Sequence, residues 1–250
     1  MSFSKGISIS DAEKLKEAWQ MKRAVTDVKT KHAAVNGMLN DLNKAAWLMG
    51  VHADVAYKND SFNDFTLFHN PSEGGMEDFY ESAKDNLGIT TENAKQLSAI
   101  LRDVQMKSES VKWVVHSQGG IIFKQALKHH IKKHGGSSLD KNVVVFHSGG
   151  NNRKETEKLM QQVGIKKENV DRNNPFDLVP NLAGRNDLSK EGIKRSKQFW
   201  NKVKGADGDS IVESPHTLPF LSLEAYHHFL VLAGDQKHAN LVSDYMQSLK

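Results

Sequence analysis

No cysteine occurs anywhere in the 250 residues. That excludes a disulfide framework, a thiolate metal site and catalysis by a thiol, and it suits the chain to a reducing compartment. Also missing is any apolar run near the roughly 18 residues that a membrane span needs. The opening Met1-Ser2-Phe3-Ser4-Lys5-Gly6 lacks the apolar stretch of a signal peptide. The expectation is a chain made soluble in the cytoplasm, without a cleaved signal. There is no internal repeat, low-complexity tract or nucleic-acid-binding motif, and no His-Glu-x-x-His or similarly spaced ligand set. No metal, no cofactor and no nucleic-acid partner are expected.

What is present is an ordinary globular composition, 38% hydrophobic and 26% charged with a mean hydropathy of -0.56. At this length a single domain spanning residues 1–250 is expected. A net charge of +4 and a pI near 9.0 would favour an anionic partner, yet the Lys and Arg are interleaved with Asp and Glu along helical stretches.

From about Ser10 to Met49 apolar residues recur at mixed three and four spacing (Leu15, Ala18, Trp19, Val25, Val28, Val35, Met38, Leu39, Leu42, Ala46), which predicts an N-terminal helical region over residues 1–50. Ser10 with Glu13 has the form of a capping box. Beyond it, β-branched runs alternate with helical spacing, the pattern of parallel strands joined by crossover helices, so the class is α/β. Strands are predicted at Asp54–Tyr57, Asp64–His69, Val111–His116, Asn142–His147, near Asn169–Arg172 and at Ser210–Glu213; helices at Gly119–His134, Asn152–Val163 and Ser189–Lys204. Residues 185–207, with Phe199 and Trp200, read either as a lid or insertion or as a solvated basic helix with a buried aromatic edge.

The most informative stretch is Trp113-Val114-Val115-His116-Ser117-Gln118-Gly119-Gly120, an apolar strand running through a serine into a helix. A serine on such a turn is forced into a strained conformation that projects its hydroxyl from the sheet edge. Its neighbours two residues either side must then be small, the reason for Gly-x-Ser-x-Gly. Gly119 meets the second requirement and Val115 departs from the first. The five residues alone also fit a turn in which Ser117 merely caps the helix.

Acyl transfer would need donors for an oxyanion. The Gln118 backbone N–H is one, and a second could come from Gly74 or Gly75 in Phe68-His69-Asn70-Pro71-Ser72-Glu73-Gly74-Gly75, which a simple turn would also explain. The chain order serine, acid, histidine points to Asp177 in Asp-Leu-Val-Pro, with Asp171 as its rival. The histidine stays open among His216, His227 and His228, any of which could reach the serine.

The Phe-His-Asn-Pro-Ser-Glu-Gly-Gly stretch, His-Ser-Gln-Gly-Gly, Asp-Leu-Val-Pro and His227-His228-Phe229 resemble the lipase-like α/β-hydrolase domains of bacterial toxins and secreted effectors, over about residues 65–232. The resemblance implies an α/β-hydrolase-like, mostly parallel sheet flanked by helices. It also implies Ser117 as nucleophile and His227 at the head of the final helix. The implied activity is cleavage of carboxylic esters of lipids or phospholipids. Transient contact with a membrane surface, export by specialised secretion machinery and an immunity-protein partner would go with it. The competing expectations are an inactive fold serving as a binding or adapter module, and an esterase of small soluble esters.

Overall fold

The structure, a computed structural model, describes residues 8, 10–12, 14, 28–37, 41–70, 90–107, 109–204 and 213–250. Its centre is an all-parallel sheet of four strands: β1 (His32–Val35), β2 (Thr66–Phe68), β3 (Val111–His116) and β4 (Asn142–His147), in the order β2-β1-β3-β4. Helix α1 (Leu42–Ala56) joins β1 to β2, and α2 (Glu92–Gln105) lies between β2 and β3. Then follow α3 (Gly119–His134), α4 (Arg153–Gln162), a single π turn (Val179–Ala183), α5 (Lys190–Gln198), α6 (Trp200–Lys204), α7 (Leu223–Leu232) and α8 (Gln236–Ser248).

Each strand alternates its side chains between two cores. Ala33, Val35, Trp113, Val115, Val144 and Phe146 pack with α2, α3 and Met160 of α4. Ala34, Val114 and Val145 pack on the opposite side with α1 and with Leu218, Phe220 and Leu221. A sheet covered on both faces buries nearly every strand residue, which is why its strands read as continuous apolar runs rather than alternating ones.

β3, β4 and α3 lie where the sequence predicts them, because each is a long run of one period bounded by Gly or a turn. Gly135 ends α3 in the left-handed region, φ 62°. The stretch Asp54–Tyr57, expected as a strand, instead completes α1, which starts where the Asp41 carboxylate accepts the Lys44 N–H. The strand of this region is His-Ala-Ala-Val at 32–35, which the spacing absorbs into a helix. Four buried residues, two of them alanines, carry no period that separates strand from helix. The expected strand at Asn169–Arg172 is reduced to a single parallel bridge, His147 to Arg172, beside β4. Ser10 is itself helical, and the side chain accepting the Asp11 N–H is Ser8. Most of residues 1–31, and 210–212 of the last predicted strand, lie outside the described residues.

Along the chain, β1 is followed by its neighbour β2 on one side, and then by β3 on the other. The order therefore reverses between β1 and β3, and the carboxyl ends of these two strands flank the crevice where open α/β sheets place ligands.

Candidate active site

Ser117 stands at the end of β3 with φ 57°, a left-handed conformation that a residue with a Cβ adopts only under constraint. The constraint is visible. The Ser117 carbonyl accepts from Gly120 N and Gly150 N, and its own N–H reaches the His147 carbonyl. A Cβ on Gly119 would lie 2.7 Å from the Val35 carbonyl oxygen, so a glycine there lets α3 start hard against β1. Val115, the departure from the small-residue pattern, is fully buried and directs its branched side chain into the core with α2 and α3.

Across the crevice lies the loop that leaves β1. A Cβ on Gly37 would fall 2.5 Å from Ser117 Cβ and 2.8 Å from its Oγ, so only glycine permits this approach. Asn36 fixes the loop: its amide donates to the Gly37 carbonyl at 2.6 Å while its Oδ1 accepts from Asn70 N at 2.7 Å. Asn70, after β2, donates in turn to the Gln118 side chain at 2.5 Å and accepts from Asn93 of α2 at 3.0 Å. Gln118 is the N-cap of α3, where backbone N–H groups have no partner within the helix. Gly74 and Gly75, the expected second source of oxyanion donors, lie outside the described residues. Gly37 comes from the preceding strand's loop, which the misread β1 concealed.

Asp177 is fully buried. One carboxylate oxygen accepts from Val179 N at 2.9 Å, and the other accepts Nδ1–H of His216 at 2.8 Å. The bond fixes the His216 tautomer, leaving Nε2 with its lone pair free. The His216 ring lies 4.7 Å, centre to centre, from that of His116, the residue before Ser117. Among the described residues the Ser117 hydroxyl itself has no hydrogen-bond partner. His227 and His228 belong to α7, His227 half-buried and His228 exposed. Of the three histidines, His216 is the one bonded to Asp177. The rival carboxylate, Asp171, accepts from Phe146 N and pairs with Lys167, holding the edge beside β4. Comparison with protein-family models, curated proteins and solved structures finds no match.

Beneath His216 is a cluster of imidazoles that the sequence does not announce, because its members are scattered along the chain. His52 of α1 bonds His147 of β4, Nδ1 to Nδ1 at 2.9 Å. Burial, reinforced by the neighbouring imidazoles, holds His52 and His116 well below the usual range. Burial and then Arg172 lower His147 to about 3. All three are neutral at pH 7. Among the described residues no cluster suited to a metal ion is present, and no helix is long and apolar enough to cross a membrane.

A second left-handed serine, Ser148 at the end of β4 (φ 49°), shows what the first has in addition. Ser148 is wholly buried and its hydroxyl has no partner among the described residues, whereas Ser117 sits at the reversal of strand order, against Gly37 and beside His116.

Phe199, read either as part of a lid or as a buried aromatic edge, is fully buried against Phe176 at 4.5 Å between ring centres, as the second reading has it. Trp200 is partly buried against Leu178, Val179 and Val203. Lys190, Lys194 and Lys197 of α5 are exposed.

Proposed function

We propose that the chain is a serine hydrolase of carboxylic esters with an α/β-hydrolase-like core, in which Ser117 is the nucleophile, His216 the base and Asp177 the residue that orients it. The observation that carries this reading is the left-handed Ser117 at the carboxyl end of β3, faced by Gly37 at the point where strand order reverses. The buried Asp177–His216 bond supports it, since it leaves Nε2 as the proton acceptor.

In this reading His216 Nε2 takes the Ser117 proton as Oγ attacks the ester carbonyl. The oxyanion is held by the Gln118 N–H at the start of α3, beside the place where Gly37 meets Ser117. Collapse expels the alcohol, which takes the proton back from His216, and water cleaves the acyl-serine by the same transfers in reverse. Among the described residues Ser117 Oγ and His216 form no hydrogen bond, and catalytic serine–histidine bonds often tighten only in the complex with substrate.

A lipid substrate is supported by the exposed Lys190, Lys194 and Lys197, which suit an anionic headgroup surface. Phe199 is in the core and is not available to enter a bilayer, so the aromatic contribution rests on Trp200 alone. Delivery as an effector, with an immunity partner, belongs to the same proposal.

The test is fluorophosphonate labelling together with hydrolysis of short- and long-chain p-nitrophenyl esters and of phosphatidylglycerol vesicles. Wild type should label and hydrolyse at least one of them, and Ser117→Ala neither. A wild-type chain that neither labels nor hydrolyses any of them would overturn the enzyme and favour a binding module. Activity on short soluble esters without a rise on vesicles would make it a small-ester esterase.

A further inference from the structure

His216 is held by its ring through Asp177, and its backbone is held as well, by two buried side chains from different elements. His116 Nε2 lies 3.1 Å from the His216 carbonyl oxygen, and His52 Nε2 lies 3.0 Å from that of Thr217. A carbonyl only accepts, so both imidazoles carry their proton on Nε2. We infer that His52 and His116 are positioning residues, which hold the turn at 216–217 so that the His216 ring stays between Asp177 and the crevice at Ser117.

The cluster's internal bonding is consistent with that assignment. With its proton on Nε2, His52 must accept at Nδ1, and the donor 2.9 Å away is His147 Nδ1–H. His147, on β4, therefore sets the His52 tautomer, and His52, on α1, passes the constraint to the turn. His116 is left with a buried Nδ1 that has no partner among the described residues. A lone pair left unmet in the interior is costly, and native structures seldom retain one without a use. Here the ring spends its single N–H on the His216 carbonyl.

His52 faces His116, His147 and His216; His116 faces His147 and His216; His147 has Arg172 near it; and Phe220 closes the apolar side, 5.1 Å from His52 between ring centres. A proton added to His52 Nδ1 would set two N–H groups against each other, and burial keeps that form out of reach in the working range.

The inference rests on His216 being the base, and the experiment reads His216 with no substrate present. In the proton NMR spectrum, the Nδ1–H of His216 on Asp177 should give a low-field signal protected from exchange. Gln places its amide nitrogen where the His Nε2 stands, so His52→Gln keeps the donor to Thr217, whereas His52→Phe removes it. In His52→Phe the signal should be lost or broadened. Where an ester is hydrolysed, kcat should fall about 10- to 100-fold with KM little changed, and the acid limb of the pH profile should move. His52→Gln should recover the signal and the larger part of kcat. The pair His116→Gln and His116→Phe should repeat the pattern.

A folded His52→Phe with the wild-type signal and pH profile would overturn the inference, as would a Gln variant no better than the Phe variant. Should both Phe variants fail to fold, the Gln variants decide alone: they must fold with the His216 signal in place. A wild type that shows the signal but hydrolyses no ester would overturn the proposed function and leave this result standing.

Discussion

At Gly37 the absence of one carbon decides whether two loops can share the crevice. A methyl there would fall inside contact distance of Ser117 Cβ and Oγ, both fixed at the end of a core strand. Gly37→Ala is expected to fold, since the position is on a loop, but to lose about 100-fold or more in kcat because the β1 loop must retreat from the oxyanion position. Circular dichroism and ester hydrolysis on one preparation check it. The histidines are separated the same way. His216→Gln should lose on the order of 10³- to 10⁴-fold in kcat, whereas His227→Gln and His228→Gln should keep wild-type rates. The opposite ranking would restore His227. At Ser148 the hydroxyl is buried without a partner among the described residues. Ser148→Ala should therefore be neutral or slightly stabilising in urea denaturation, since it removes an unmet polar group without breaking a bond.

Between elements, asparagines rather than apolar contacts tie the loops after β1 and β2 to the start of α3. Asn36→Ala leaves Asn70 N and the Gly37 carbonyl without their partner in a buried place, and a loss of about 1–3 kcal/mol is expected from urea midpoints. It should also lower kcat, because the same bonds set the crevice.

This is also the scale at which the sequence could be read and at which it failed. Trp113 to Gly120 declares a strand, a turn and a helix by its apolar run and glycines, and Ser117 stands out within it. Asp177 follows from its order in the chain. The base does not, because the choice among His216, His227 and His228 depends on which loop folds back over the sheet. His52, His116 and His147 come from three elements that meet only when the sheet is assembled, and no spacing encodes that. Gly37 was hidden because His-Ala-Ala-Val has too little pattern to be a strand until its neighbours pair with it.

For the molecule as a whole, three buried neutral imidazoles set the dependence of stability on acidity. Unfolded histidines take up protons below about pH 6.5. Folded His52 and His116 do so only well below that, and His147 at about 3. The unfolded state thus binds more protons in that window, so stability rises with pH there. The contribution is fully present above about 6.5 and is lost as pH falls, at about 1.4 kcal/mol per pH unit for each group. Urea midpoints at pH 7.5 and pH 5 should show the drop, and His147→Gln should flatten it. A flat wild-type profile would mean that these rings are not neutral and buried in solution.

The strands of the described sheet are complete at His147, and Ser117 with them, but His216, the proposed base, comes 69 residues later. A chain clipped anywhere between those two positions keeps all four described strands and Ser117, and has lost the histidine proposed to take its proton. The same holds during synthesis: the serine leaves the ribosome well before its base. On the proposed assignment hydrolysis would begin only once the segment carrying His216 has folded back over the sheet, so production of the chain and onset of that activity would be separated in time by the order of its residues.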